Sequence, residues 1–285
     1  MRFPRQVPGI PGRSDVHELR EDVVYAEVGG EPLRYDHYRP LPADGPAPAV
    51  VFVHGGGWMH GDPSQAAGNA LHVARRGIAT IALSYRFAPA HRFPAPLDDV
   101  RRGLRYVRAH AAELGIDPER VALLGLSAGA HLAMLAHLAR DVPALAPVLD
   151  EPTLDRVSED VRAVIAHYGP YDLSRRAVLP PELDMIGALL GPRGDDPAWV
   201  RLASPLHQVE SAATTAPALL VHGMRDTLVS YRESERLHRA LTAAGRASEL
   251  LLLEDAPHAF QVDWRGRANQ RANAAMDVFL ARHLG

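Results

Sequence analysis

Apolar residues run along this chain in short unbroken stretches, and segments with helical spacing lie between them. Eight stretches have the length and content of strands: Val23–Val28, Leu33–Tyr38, Ala49–His54, Ile78–Leu83, Arg120–Gly125, Arg162–His167, Pro217–His222 and Ser248–Leu253. Several of them, Ala49-Val50-Val51-Phe52-Val53 among them, show no alternation of apolar and polar positions. A strand wet on one face alternates, whereas a strand covered on both faces does not, so these runs predict the interior of a parallel sheet.

Between the runs, Leu97, Val100, Leu104, Val107 and Leu114 recur at spacings of 3, 4, 3 and 7, which puts them on one helical stripe. Pro96 near its start and Gly115 just past its end suit helix termini. Ser230-Tyr231-Arg232-Glu233 reads as a capping box opening a helix that closes at Gly245, and a last helix is expected from about Trp264 to His283. Strands alternating with helices through right-handed crossovers make a doubly wound, mostly parallel α/β sheet of about eight strands, with helices on both faces. There is no internal repeat and no low-complexity linker, so residues 1–285 are read as one domain. Residues 1–20 are expected to form an arm lying over it. The Pro-rich segments 141–159 and 173–204 are expected to be excursions over its top, a small lid.

Composition narrows the chemistry. A chain of 285 residues can bury a sizeable core. It contains no cysteine and no lysine, all 31 of its basic residues being arginine. Disulfides, thiol nucleophiles, iron–sulfur clusters, Schiff bases and a P-loop lysine are thereby excluded. The 15 histidines include no HExxH and no pair four apart, which argues against a helical zinc pair. A net charge of −3 leaves no footprint for nucleic acid or anionic lipid. No run approaches the ~20 apolar residues needed to cross a bilayer, and the first 16 residues lack the apolar centre of a signal peptide. The expectation is a cytoplasmic protein with no membrane partner, needing neither metal nor cofactor, and able to form a homodimer.

The candidate chemistry starts at Val121-Ala122-Leu123-Leu124-Gly125-Leu126-Ser127-Ala128-Gly129-Ala130. A serine stands on a tight corner between a strand and a helix, and its neighbours are small on both sides. This matches G-x-S-x-G in the context that motif requires, a sharp turn that lifts the hydroxyl above the sheet edge and sets a helix N-terminus behind it. A glycine-rich turn with an incidental serine would show the same five letters, so the other elements decide. His54-Gly55-Gly56-Gly57-Trp58 follows the strand Ala49–Val53, and glycines let backbone N–H groups approach a ligand unobstructed. Asp226 and His258 each stand just past the end of a strand. Chain order is therefore Ser127, Asp226, His258, the arrangement of α/β-hydrolases. Asp172, in Tyr168-Gly169-Pro170-Tyr171-Asp172, also follows a strand, and a structural turn is the reading favoured for it. Asp98 and Asp99 open a helix, where negative charge is favourable.

The blocks HGGGWMHGD, LSYRFAPAHRFPAPLDDV, GLSAGAHLA, HGMRDTLV and PHAF, spread over residues 50–260, resemble those of the HGGG-containing α/β-hydrolase esterases. That group includes hormone-sensitive-lipase-like esterases and smaller feruloyl-esterase-like relatives. Leu126 and Ala130 depart from the GDSAGG usual in the lipase-like members, and Ala90 stands where a glutamate is common. Both differences point to the feruloyl-esterase-like and formamidase-like branch. The resemblance implies a serine esterase cleaving a small acyl or aryl-acid ester through an acyl-enzyme. Ser127 is then the nucleophile, His258 the base and Asp226 its partner, with Gly56, Gly57 and Ala128 as oxyanion donors. Trp58, Met59, His60 and Phe260 flank these loops and are candidates for a substrate pocket or for core packing. Rival readings are an arylformamidase or other amidase with the same three residues, an acyltransferase or lyase on the same fold, and a ligand receptor without catalysis.

Overall fold

The computed structural model describes residues 13–14, 17–41, 45–147, 152–175, 184–213 and 216–285. All eight predicted strands are present. They are β2 (His17–Val28), β3 (Glu31–Pro40), β4 (Ala47–Val53), β5 (Ala79–Leu83), β6 (Ile116–Leu126), β7 (Ala163–His167), β8 (Ala218–Gly223) and β9 (Ser248–Leu253). A two-residue β1, Arg13–Ser14, pairs with β2 and brings the sheet to nine strands in the order β1-β2-β3-β5-β4-β6-β7-β8-β9. Pairing is antiparallel from β1 to β5 and parallel from β5 through β4 to β9. Part of the expected N-terminal arm thus belongs to the sheet, since residues 17–20 begin β2. Residues 1–12 and 15–16 lie outside the described residues.

β5, β7 and β8 are buried at every position, as runs without alternation require. Two helical layers cover them. Helix α2 (Ala95–Ala109), α4 (Ala128–Leu138) and α7 (Arg232–Ala243) bury Leu97, Leu104, Leu132 and Leu237 against one face, which carries Val51, Val53, Leu123 and Val164. Helix α1 (Ala67–Ala74) and α8 (Arg267–Leu284) bury Val73, Met276 and Phe279 against Val50, Phe52, Leu124 and Ile165 on the other. The alternation of Val50/Phe52 with Val51/Val53 between the two cores is the two-residue period of a strand.

Local details differ from expectation. The stripe ending at Leu114 is divided, because α2 stops at Ala109 and a short α3 (Ala111–Leu114) follows. At the break the His110 ring stacks on Tyr106, and its Nδ1 lies 3.0 Å from the Tyr106 carbonyl that the His110 N–H also uses. Gly115 closes α3 at φ +65°, where a glycine costs least. The capping box at Ser230 is not formed. The Glu233 N–H donates to the Ser230 carbonyl, but its carboxylate turns away to accept the N–H groups of Tyr171 and Asp172 at 3.0 and 2.8 Å.

The described parts of segment 141–159, residues 141–147 and 152–159, do not lie over the top. Helix α4 starts at the carboxyl edge of the sheet and runs back, so the chain after it emerges at the opposite edge. There Arg101 holds the carbonyl oxygens of Arg140 and Leu145 together with Glu159, and Arg105 holds Glu159 and the carbonyls of Leu154 and Asp155. Residues 148–151 are outside the described set. The second excursion contributes α5 (Met185–Leu190) and α6 (Pro197–Leu202), and residues 176–183 of it are not described.

The buried histidines are expected to make the fold sensitive to acid. Burial pushes His37, His54, His131 and His137 down to about 4 and His167 to about 3. An unfolded chain takes up these protons near pH 6.5, so stability falls as pH drops from there towards 4. Burial acts oppositely on two carboxyls, raising Asp36 to about 6 and Asp98 to about 7, and those two favour the folded state on acidification. Five groups outweigh two. At roughly 1–2 kcal/mol per group by pH 5, the net loss is several kcal/mol. Scanning fluorimetry from pH 7.5 to 4.5 is expected to show Tm falling most steeply below pH 6.5. A flat or rising Tm over that range contradicts it.

Candidate active site

Ser127 caps α4 at the corner after β6, with φ +53° and ψ −117°. For a residue with a Cβ such a backbone costs about 1–3 kcal/mol. The surroundings hold it there: its N–H donates to the His167 carbonyl on β7 at 2.9 Å, and its carbonyl accepts the His131 N–H at 3.0 Å. The flanking glycines are a steric necessity. A Cβ on Gly125 would collide with the Gly129 carbonyl, and one on Gly129 with the carbonyl oxygens of Val53 and His54.

β8 and β9 are neighbours, so the loops after them sit side by side at the edge that carries Ser127. A Cβ on Gly223 would strike the Ala256 carbonyl, which shows how closely the two loops pass. They bring the imidazole of His258 between the other two groups, with Nδ1 2.6 Å from Asp226 Oδ2 and Nε2 3.0 Å from Ser127 Oγ. A carboxylate only accepts, so the proton of the neutral ring belongs on Nδ1. Nε2 is left free to accept from the serine hydroxyl.

The Asp226 side chain is fully buried. Its Oδ1 accepts the N–H groups of Leu228 and Val229 at 2.9 and 2.8 Å, and His222 Nε2 lies 3.2 Å from Oδ2. Burial alone would raise this carboxyl. The hydrogen bonds from His222, His258 and the Val229 N–H outweigh that and hold it well below the usual carboxylate range. Tyr168, at φ +42°, sets its ring against His258 with centroids 4.7 Å apart.

The glycine loop lies against the serine. From the Cβ position of Gly55, Ser127 Cβ is 3.4 Å away and the Leu126 carbonyl 3.1 Å. Gly56 and Gly57 have φ of +124° and +59°, and the Gly56 carbonyl accepts the N–H groups of Met59 and His60. The N–H groups of Gly56, Gly57 and Ala128 have no acceptor among the described residues. Met185 of α5 fills the space that a Gly57 Cβ would need.

The pocket candidates divide. Trp58 and Phe260 are only 3% and 4% exposed and contribute packing rather than surface. Trp58 donates its indole N–H to His131, and Phe260 stands edge-on to Tyr168. Met59 is half-buried and His60 is exposed. Asp172 stays apart from His258 and is engaged with Ser174, Arg175 and His207. Asp99 does more than favour a helix start: its buried carboxylate takes a fork of bonds from Arg86 at 2.8–3.1 Å. Sequence reasoning gave no role to His222 or Tyr168, although His222 opens the block HGMRDTLV four residues before Asp226.

The geometry has counterparts among known proteins. Residues 35–241 match the BD-FAE family model. The chain belongs to the BD-FAE family. It is a carboxylic-ester hydrolase with the α/β-hydrolase fold, as its relatives also show. Esterase LipQ of Mycobacterium tuberculosis is 31% identical over 98% of this chain and 67% of its own length. Carboxylesterase NlhH of the same organism is 36% identical over 70% of this chain and 74% of its own. The apo structure of Thermogutta terrifontis esterase 2 superposes with a TM-score of 0.78 at 30% identity, covering 99% of this chain and 97% of that one. Other structures of that esterase hold propionate or are phosphorylated by paraoxon. No helix among the described residues of this BD-FAE esterase is long and apolar enough to cross a membrane.

Proposed function

We propose that this esterase hydrolyses esters of short acyl groups with small alcohols or phenols, using Ser127, His258 and Asp226. The observation that carries the reading is the imidazole of His258 held between Ser127 Oγ at 3.0 Å and Asp226 Oδ2 at 2.6 Å. Ser127 Oγ attacks the ester carbonyl carbon as its proton passes to His258 Nε2. The Asp226 carboxylate stabilises the imidazolium. Negative charge on the carbonyl oxygen falls to the N–H groups of Gly56, Gly57 and Ala128, where one donor is typically worth about 10²–10³ in turnover. The imidazolium then protonates the departing alkoxide, and the acyl group remains on Ser127. Water, deprotonated by His258, repeats the attack and frees the carboxylic acid. The propionate held by the Thermogutta relative supports a short acyl group, and Met185 against Gly57 supports a lid role for the 173–204 segment.

Leaving-group chemistry tests the reading. An alkoxide or phenoxide departs readily, whereas an amine must be protonated as it leaves. On the glycine loop, His60 is the candidate for an extra proton donor at that step, and its side chain is exposed. The expected result is a kcat/KM for short acyl esters at least ~10² above that for matched N-formyl anilides, or about 2.7 kcal/mol of discrimination. Both substrates are to be measured on one preparation. Parity, or preference for the anilide, would move the activity to the formamidase reading.

A further inference from the structure

Trp58 ends the glycine loop in an unusual state. It is a bulky residue at φ +60°, immediately after Gly57, and its side chain is almost wholly buried. Left-handed backbone costs a residue with a Cβ roughly 1–2 kcal/mol, so something must hold it. Its indole N–H donates to His131 Nδ1 at 3.2 Å, with the two rings edge to face at 5.1 Å. On the far side of that imidazole, Nε2 lies 2.8 Å from the carbonyl oxygen of Ala203.

The donors fix the tautomer. Indole N–H can only donate, so His131 Nδ1 must accept. The ring proton is then on Nε2, which donates to the Ala203 carbonyl. Protonation would set two N–H groups head to head, and burial pushes the ring down to about 4, which keeps it neutral at working pH. His131 also stands one helical turn after Ser127, whose carbonyl its own N–H holds. One neutral ring therefore ties three elements together: the glycine loop, the helix that begins at the serine, and the link after α6.

We infer that His131 is a positioning residue for the oxyanion loop, pinning Trp58 in its left-handed conformation so that the Gly56 and Gly57 N–H groups stay aimed beside Ser127. This rests on the reading of that loop as the oxyanion site. Sequence alone shows His131 only as a letter in an apolar helix. A buried imidazole with both nitrogens bonded across elements is what sets it apart from core packing.

The test uses the full-length enzyme and pairs an aryl ester with its thionoester, in which the carbonyl oxygen is replaced by sulfur. An oxyanion site built from N–H donors stabilises oxygen far better than the larger sulfur, so the ratio of the two kcat values reports on donor alignment. His131→Leu is expected to lower kcat for the oxygen ester by about 10–100-fold, with KM changed less than about threefold, and to reduce the ester-to-thionoester ratio. His131→Gln keeps one acceptor for Trp58 and one donor for Ala203, and should restore most of both. Trp58→Phe removes the indole donor together with part of the buried ring, should reproduce the Leu effect, and should not add to it in the double variant. A folded His131→Leu with wild-type kcat and ratio overturns the inference, as does a Gln variant no better than Leu. If His131→Leu does not fold, Trp58→Phe decides: an unchanged kcat overturns it. A wild type that does not favour the oxygen ester at all would remove the oxyanion reading itself. Labelling of Ser127 by a phosphonate would be untouched by that outcome.

Discussion

Ser127→Ala is expected to lower kcat/KM for an activated ester by about 10⁴–10⁶ while leaving the fold intact. The size reflects what is lost. Without Oγ no acyl-enzyme forms, and only the donors of the glycine loop and substrate binding remain, worth ~10³ over water in comparable enzymes. The fold should survive because alanine keeps the Cβ that the corner already accommodates at φ +53°, and both backbone bonds, to His167 and from His131, are independent of the hydroxyl. The hydroxyl makes one side-chain bond, to His258, and water can replace it at that half-buried nitrogen. Tm should therefore stay within a few degrees. A fluorophosphonate should add one equivalent to the wild type and none to the variant by intact mass. Modification of another serine, or turnover surviving in a clean variant, would remove Ser127 from its role.

Asp226→Asn is expected to lower kcat by about 10⁴, far more than Asp172→Asn. The carboxylate of Asp226 accepts from His258 Nδ1, which keeps the other nitrogen free for the serine. An asparagine that turns its amide N–H towards Nδ1 moves the ring proton to Nε2, where it can no longer accept from Oγ. Asp172 is bonded to Ser174 and Arg175, not to His258, so its asparagine variant should lose stability and keep kcat within a few-fold. Asp226 also supports the fold. Its carboxyl is held down in the folded state, so its stabilisation is full above the unfolded value near 4 and disappears as pH falls through the lower folded value. The Asn variant should thus be less stable than wild type at pH 7, and the gap should close in strong acid. Kinetics of both purified variants, beside their melting curves, decide the matter. An Asp172→Asn enzyme more impaired than a folded Asp226→Asn would reverse the roles.

Much of this was readable from the order of residues. Strands covered on both faces need no polar positions, so β4, β5, β7 and β8 stood out as unbroken apolar runs. The corner at Ser127 was legible because its geometry forbids a Cβ at Gly125 and Gly129, a demand written within five consecutive residues. Groups that follow a strand end come to one edge of a parallel sheet, which singled out Asp226 and His258 before any distance was known. Asp172 passed the same test, however, and only the neighbouring positions of β8 and β9 bring Asp226 rather than Asp172 to the imidazole. Where a side chain turns is a tertiary matter. Glu233 reads as a helix cap yet reaches Tyr171 and Asp172, and Trp58 reads equally as pocket wall or core packing until its burial against His131 decides for packing. The direction of α4 likewise puts residues 141–147 and 152–159 at the edge away from the serine, though the Pro-rich composition of the segment suggests a lid. Local sterics and strand burial act through near neighbours and leave a periodic mark in the sequence. Contacts such as Ser127 with His258, or Trp58 with His131, join residues 131 and 73 positions apart and come into existence only when the sheet and its helices have closed.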